Sequence, residues 1–239
     1  MTRRRWTADR VEGDRASLLG EHALHLSRVL RAQVGQEFDV ATPTGVRLGR
    51  IVSVKEGCVD FLLGDYIPKK ENSTPNITLA LAIFKFDRME WAIEKCTELG
   101  VSKIIPFIAA RTEKHLAQSA TKRADRWRRL ITQASEQSRR ATPAELTDPV
   151  KFDQLMADDA PTRIVLSESE TTLSLASSLT QAQGRIILAV GPEGGWTPGE
   201  LKKFDQSNWK SATLGPTILR AETAAIAALA IALSLLQQT

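Results

Sequence analysis

Two glycine-proline segments near the C-terminal end carry the residue types and spacing of ligand-binding loops. Gly191, Pro192, Glu193, Gly194 and Gly195 directly follow the apolar run 186–190, which places them at a strand's C-terminal end, where open parallel sheets take ligands. Thr197-Pro198-Gly199-Glu200 then reads as a helix start, with an N-cap threonine, a proline at the first helical position and a glutamate that completes a capping box. Glycine admits backbone conformations closed to other residues and lets a ligand approach the main chain. A tight strand-to-helix turn without a ligand would look the same, so this loop alone leaves both readings open. The second segment, Leu214, Gly215, Pro216, Thr217, Ile218, Leu219, Arg220, Ala221, Glu222, Thr223 and Ala224, repeats the arrangement ahead of an alanine-rich helix. Ile218 and Leu219 either line a flat apolar ligand such as adenine or plug the core.

Other ligand chemistries fit less well. There is no GxxxxGK[ST] for a triphosphate, no GxGxxG after the first strand of the α/β region, and no lysine in either loop to hold a phosphate. Cys58 and Cys96 are far apart in apolar contexts, and His22, His25 and His115 have no cysteine companions. Neither a disulfide framework nor a metal site is expected, and the thiols read as buried.

Charge adds a partner class. The net charge of +4 is unevenly spread: between Arg111 and Arg140 nine basic residues face three acidic ones, a local excess of six that exceeds the whole chain's. Arg3, Arg4 and Arg5 open the chain, with Arg10 and Arg15 close behind. Each cluster alone could be a solvated face, and two together point as much to a polyanion. No apolar segment follows the first arginines, so no secretory signal is read and a cytosolic protein is expected. The run 224–236 is too short and alanine-rich to span a bilayer and reads as a buried helix.

The elements that must position the loops fall into two regions. From Phe38 to Asp65 apolar residues alternate between the turns Thr42-Pro43-Thr44-Gly45 and Lys55-Glu56-Gly57, which predicts three short antiparallel strands. Ala23, Leu26, Val29, Leu30 and Val34 recur at helical spacing, so a helix over 23–34 covers one end of a small barrel. The polar, proline-bracketed stretch 68–76 is the linker. Beyond it, a strand over ITLALAIF, a helix from about Asp87 to Leu99 ended by Gly100, and a strand over KIIPF form a parallel α/β unit. A helix around 123–139 with Trp127, Leu130, Ile131 and Ala134 on one face, strands over RIVLSE and RIILAV, and a last short strand at 212–214 complete the pattern.

With these residues in view, GPEGGWTPGE and LGPTILRAETA resemble the two C-terminal signatures of the small-subunit (16S) ribosomal RNA uridine N3-methyltransferases, a branch of the SPOUT class. KFDRMEWAIEKCTELGVSKIIPF, RWRRLITQASEQSRRATP and HLSRVLRAQVG also resemble family segments, in the family's order, so the resemblance covers nearly the whole chain. Thr217 stands where the family usually has a basic residue, Ala221 where threonine is frequent, and Ala109-Ala110 where a polar pair is common; no loop glycine is lost.

The resemblance implies an α/β fold: residues 76–239 as a SPOUT-type methyltransferase domain with a C-terminal trefoil knot, and residues 1–70 as a PUA-like RNA-binding β-barrel. It implies S-adenosylmethionine as cofactor, a homodimer, and small-subunit ribosomal RNA, in the assembled 30S particle, as substrate. No connection rule would suggest a knot, which rests on the resemblance alone. Leu166 and Ser167, after RIVL, would form a third cofactor loop beside Gly191–Gly195 and Leu214–Ala224. Methylation at N3 of a uridine in the decoding region needs the proton removed and the resulting anion stabilised, for which an arginine is suited. Arg140, which matches the family arginine after EQS, is the first candidate and Arg220 the second; Arg140 could instead hold a phosphate, and Arg220 could pin Glu222 or Glu193. Arg3, Arg4, Arg5, Arg31, Arg111, Lys122, Arg123 and Arg139 are the expected RNA contacts. The alternatives are a SPOUT enzyme acting on transfer RNA and a noncatalytic ribosome-assembly factor.

Overall fold

The computed structural model describes residues 5–67, 75–140 and 142–236. The chain forms two compact units, one comprising 1–71 together with 135–142, the other 72–134 together with 143–239. Most of the linker stretch, along with Arg3 and Arg4, lies outside the described residues.

In the first unit, β1 (Arg5–Thr7), β2 (Arg10–Glu12), β3 (Arg15–Leu19), β4 (Glu37–Thr42), β5 (Gly45–Lys55) and β6 (Cys58–Tyr66) form one sheet in the order β1-β4-β5-β6-β3-β2. All neighbours are antiparallel except β1 and β4. The three strands expected over 38–65 are β4, β5 and β6; the arginine-bearing β1 to β3 were not foreseen. They are too short to show a long alternation, yet each keeps its apolar side chain inward, as Trp6, Ala16 and Leu18 do. The sheet curls where the β5–β6 register slips between Arg47 and Gly49 and again between Ile51 and Ser53, since bulges sharpen strand twist. Gly49 sits at that bend because a Cβ there would lie 2.4 Å from Val40 Cγ2.

The helix expected over 23–34 is shorter. It consists of α1 (Gly20–Leu24) and a π-helical turn at 25–29. Ala23 and Leu26 enter the core, whereas Val29 and Val34 are 65% and 64% exposed. The wider π turn takes later residues off the buried face, and Arg31, with φ +49°, ends the helix.

The second unit is a parallel sheet built from β7 (Ile77–Ala82), β8 (Lys103–Ile108), β9 (Glu145–Leu146), β10 (Val150–Lys151), β11 (Thr162–Leu166), β12 (Ile186–Val190) and β13 (Lys210–Ala212). Its order is β10-β8-β7-β12-β11-β13, with β9 also paired to β8. Every residue of β7 and β12 is buried, as expected of central parallel strands covered on both faces. On one face lie α2 (Phe86–Leu99), α3 (Lys114–Gln137), α5 (Leu175–Leu179) and α7 (Ala221–Leu236), which contribute Met89, Ile93, Trp127, Ile131, Leu175 and Leu229 to one core. On the other face lie α4 (Phe152–Met156) and α6 (Pro198–Gln206), packed with Phe107, Phe204 and Trp209.

The alanines of α7 that face inward, Ala225, Ala228 and Ala232, are fully buried, and such small residues let α2 pack closely on α7. Gly100 ends α2 in the left-handed conformation, φ +114°, donating its N–H to the Cys96 and Thr97 carbonyls. The helix expected around 123–139 starts earlier, at Lys114, because Leu116 and Ala120 extend its buried face. Cys96 is fully buried, which pushes its thiol far above the usual range, while Cys58 is half-buried. No helix among the described residues is long and apolar enough to cross a membrane.

Candidate active site

Three adjacent strands, β12, β11 and β13, end on the same edge of the sheet, and the loops that leave them enclose a cavity of about 380 Å³. The first loop supplies Gly191, Pro192, Glu193, Gly195 and Trp196, the second Leu166, Ser167 and Glu168, and the third Thr213 to Arg220. Arg88, Ala221 and Ala224 complete the wall. The structure therefore brings together nearly all the residues expected to hold the cofactor. Gly194, Glu222 and Thr223 lie outside the lining.

The first loop is held by short-range rules. Gly195 donates its N–H to the Pro192 carbonyl at 2.9 Å, closing a turn that leaves Gly195 at φ +70°. A Cβ on Gly191 would stand 3.0 Å from the Trp196 ring, a tight approach that favours glycine there. That ring stacks on Phe107, with centroids 6.1 Å apart, and its Nε1–H donates to the Leu166 carbonyl at 2.7 Å. One side chain thus fixes the first loop to the end of β11.

The helix start is the expected capping box. Thr197 Oγ1 accepts from the Glu200 N–H at 3.2 Å, and Glu200 Oε2 accepts from the Thr197 N–H at 2.9 Å. Glu200 Oε1 reaches further, accepting from the Ala110 N–H at 2.8 Å. The carboxylate is buried yet ties the loop after β8 to α6.

The third loop is held by its own backbone. Thr213 Oγ1 accepts from the Gly215 N–H at 3.2 Å, and the Arg220 carbonyl accepts the Ala224 N–H at 2.8 Å, starting α7. Gly215, at φ +128°, has open space where a Cβ would stand. Ile218 is 81% exposed, so it does not plug the core and instead presents an apolar face at the cavity, as does half-buried Leu219.

Charge is arranged by a residue that the sequence did not single out. Arg88, near the start of α2, donates to Glu193 Oε1 at 2.8 Å and places its Nε 3.8 Å from Glu222 Oε1. Lys85 Nζ lies 3.9 Å from the other Glu193 oxygen. Glu222 is buried, and its Oε2 has no hydrogen-bond partner among the described residues. Arg220 therefore pins neither Glu193 nor Glu222: Arg88 takes both, and Arg220 stands exposed at the cavity with no side-chain partner among the described residues. The only signal for Arg88 was its place in the first turn of α2, in KFDRMEW.

The remaining basic candidates are distributed over both units. Arg140 belongs with the first unit and is not part of the cavity lining. Its Nε donates to the Thr142 carbonyl at 3.3 Å, and burial holds its guanidinium below the usual arginine range. Arg139, at φ +61°, offers its carbonyl to Arg5, whose guanidinium also faces Asp39 at 3.7 Å. Arg31 is exposed. In the second unit, Arg111 donates to the Gly194 carbonyl at 2.6 Å. Arg123 lies over the Phe86 ring and 3.6 Å from Glu90, and Lys122 is exposed. Among the described residues no group of three or more His, Cys, Asp or Glu is placed to hold a metal ion.

Comparison with known proteins decides the family. Residues 70–233 match the RNA methyltransferase domain model. The chain is 32% identical to a ribosomal RNA small subunit methyltransferase E from Rickettsia conorii, over 92% of this chain and 90% of the relative. The chain belongs to the ribosomal RNA small subunit methyltransferase E family. The Bacillus subtilis family member is 30% identical over 89% of this chain and 87% of its own length. Among solved structures, a family member from Neisseria gonorrhoeae bound to S-adenosyl methionine superposes with a TM-score of 0.86 at 27% identity, covering 96% of each chain. A Legionella pneumophila chain in complex with the bound cofactor SAM gives 0.87 at 28% identity over 98% of each. The family assignment agrees with the small-subunit ribosomal RNA methyltransferase part of the resemblance, and the fold is that of an α/β methyltransferase with one parallel sheet and one curled, mostly antiparallel sheet.

Proposed function

We propose that the protein transfers a methyl group from S-adenosylmethionine to small-subunit ribosomal RNA, at N3 of a uridine in the decoding region. It would act as a cytoplasmic homodimer on the assembled 30S particle. The observation that carries this reading is the convergence of three strand-end loops on one cavity in a chain of this family.

The residues fit the cofactor. A volume of about 380 Å³ suits a small organic ligand. Leu166, Val190, Leu214, Ile218 and Leu219 offer apolar surface for adenine, while the Gly191, Gly195 and Gly215 segments let polar groups reach the main chain. No lysine among the described residues lines the cavity, which disfavours a polyphosphate. The bound cofactor supplies a methyl group already activated on a sulfonium, so no metal or covalent enzyme intermediate is required.

What remains for the protein is to orient the base, help N3 lose its proton and steady the anion on the uracil oxygens. Of the two arginines expected at the uracil, Arg220 is favoured because it lines the cavity and its guanidinium has no partner among the described residues. Arg140 then contacts the RNA backbone, together with Arg5, Arg31, Arg111, Lys122, Arg123 and Arg139, and with Arg3 and Arg4 outside the described residues. N3 lies on the Watson–Crick edge, so the target uridine must be unpaired when it is bound.

The trefoil knot and a PUA-like identity for the curled sheet belong to the same reading. For the knot, the support is the way the chain leaving β11 flanks the end of β13: Ser167 N–H donates to the Ala212 carbonyl at 3.0 Å, and Thr213 N–H to the Leu173 carbonyl at 2.9 Å; for the PUA-like identity it is the curled sheet of β1 to β6.

The test incubates purified protein and labelled S-adenosylmethionine with small ribosomal subunits or with transfer RNA, followed by digestion to nucleosides. Label in N3-methyluridine from subunit RNA is expected. Label in transfer RNA, or in another nucleoside, would replace the substrate. No transfer, with no heat on calorimetric titration of S-adenosylhomocysteine, would make the protein a noncatalytic assembly factor.

A further inference from the structure

Resting on the uridine-N3 reading, the charges around the cavity also designate where the N3 proton goes. Among the described residues, four charged side chains line the cavity: Arg88, Glu168, Glu193 and Arg220. Among the described residues the lining includes no histidine, lysine, cysteine or tyrosine, and guanidinium groups do not accept protons at neutral pH. Proton acceptance by a side chain therefore falls to Glu168 or Glu193. Glu193 is engaged by Arg88 at 2.8 Å and faced by Lys85 at 3.9 Å, so protonating it would discharge an ion pair. Glu168 has no cationic partner within salt-bridge distance among the described residues.

Position agrees with chemistry. Glu168 follows Ser167 at the end of β11, the strand lying between β12 and β13, whose loops form the other two walls. Its Oε1 would lie 3.1 Å from a Cβ on Gly195, so the bare left-handed glycine leaves the space the carboxylate fills. Glu168 and Arg220 are then the two unpaired charges of the cavity, of opposite sign.

We propose that Glu168 is the general base and Arg220 its electrostatic complement. The N3–H bond breaks and its proton passes to a Glu168 oxygen. The electron pair left on N3 forms the bond to the methyl group, while the methyl–sulfur bonding pair stays on sulfur as a neutral thioether. Arg220 faces the uracil oxygen on which negative charge gathers, and Glu168 gives its proton to solvent after product leaves.

The experiment compares wild type, Glu168→Gln and Glu168→Asp in kcat on small subunits between about pH 6 and 10, above the ordinary carboxylate range, alongside calorimetric titration of S-adenosylhomocysteine. Glu168→Gln is expected to lose about 10²-fold or more in kcat near neutral pH. Its deficit should shrink by about tenfold per pH unit as hydroxide takes over the proton, with S-adenosylhomocysteine affinity within about twofold and with Glu168→Asp between the two. An unchanged kcat, a deficit that does not vary with pH, or a loss of S-adenosylhomocysteine affinity in Glu168→Gln would overturn the assignment. Wild type that forms no N3-methyluridine overturns the uridine reading itself, whatever Glu168→Gln does.

Discussion

Arg88 and Glu193 are joined by a 2.8 Å ion pair that links the first turn of α2 to the first cavity loop. The same guanidinium lies 3.8 Å from buried Glu222 in the first turn of α7, so one residue of α2 faces a carboxylate of the first loop and another where the third loop runs into its helix. Truncating one partner of a buried pair leaves the other uncompensated, and Glu222 has little solvent to turn to.

Arg88→Ala is therefore expected to weaken S-adenosylhomocysteine binding by about tenfold or more, with Arg88→Lys recovering part of it. Calorimetry on both variants checks this. Equal affinity in Arg88→Ala would mean the loops hold their shape without the clamp.

Glu200 carries a structural load rather than a chemical one. It accepts from Ala110 N–H, Thr197 N–H and Thr197 Oγ1–H at 2.8, 2.9 and 2.8 Å. Glu200→Ala strands these donors and should lower unfolding free energy by about 2–3 kcal/mol, read from the urea midpoint. Thr197→Ala, which removes only the cap, should cost about 1 kcal/mol.

Gly195 adopts φ +70° beside the Glu168 carboxylate. Gly195→Ala meets both the left-handed penalty, about 1–2 kcal/mol, and the close approach to Oε1. Its urea midpoint should fall and cofactor affinity fall with it, whereas Gly199→Ala, with open space around it, should leave the cavity intact. Parallel melts and titrations of the two variants separate shape from composition.

Glu170 caps the loop that follows β11. It accepts from Thr172 Oγ1–H at 2.6 Å, Thr172 N–H at 2.8 Å and Leu173 N–H at 3.0 Å, which hold its carboxyl down at about 2. A carboxylate with a depressed value stabilises the fold above its ordinary range and loses that contribution as pH falls through the folded value. The contribution should be complete at neutral pH and disappear as pH falls from the ordinary carboxylate range toward 2. NMR titration of the Glu170 side chain should show its midpoint near 2; a midpoint at the ordinary carboxylate value would contradict the cap.

Lys122 and Arg129 are exposed on α3 and make no ion pair among the described residues. If they meet phosphates, subunit affinity falls with rising salt, and replacing both by alanine should flatten the log-log slope by about 1–2. An unchanged slope would move the RNA footprint elsewhere.

The loop signatures, the capping box, the glycine stop of α2 and the alternation of β4 to β6 were legible from the sequence because each is a local rule: backbone freedom, a cap or a side-chain period within a few residues. The two loops were ambiguous singly, since a turn and a binding loop share a composition. What only the tertiary structure decided is which distant residues meet them. Glu168 sits one strand away from Gly195, and Arg88 lies 105 residues before Glu193. Trp196 reaches back to the Leu166 carbonyl. Strand order sets these meetings, and it is fixed by burial across the whole sheet rather than by any local pattern. The same long-range packing gave Ile218 to the cavity instead of the core and left Arg220 unpaired, choices that spacing along the chain does not encode.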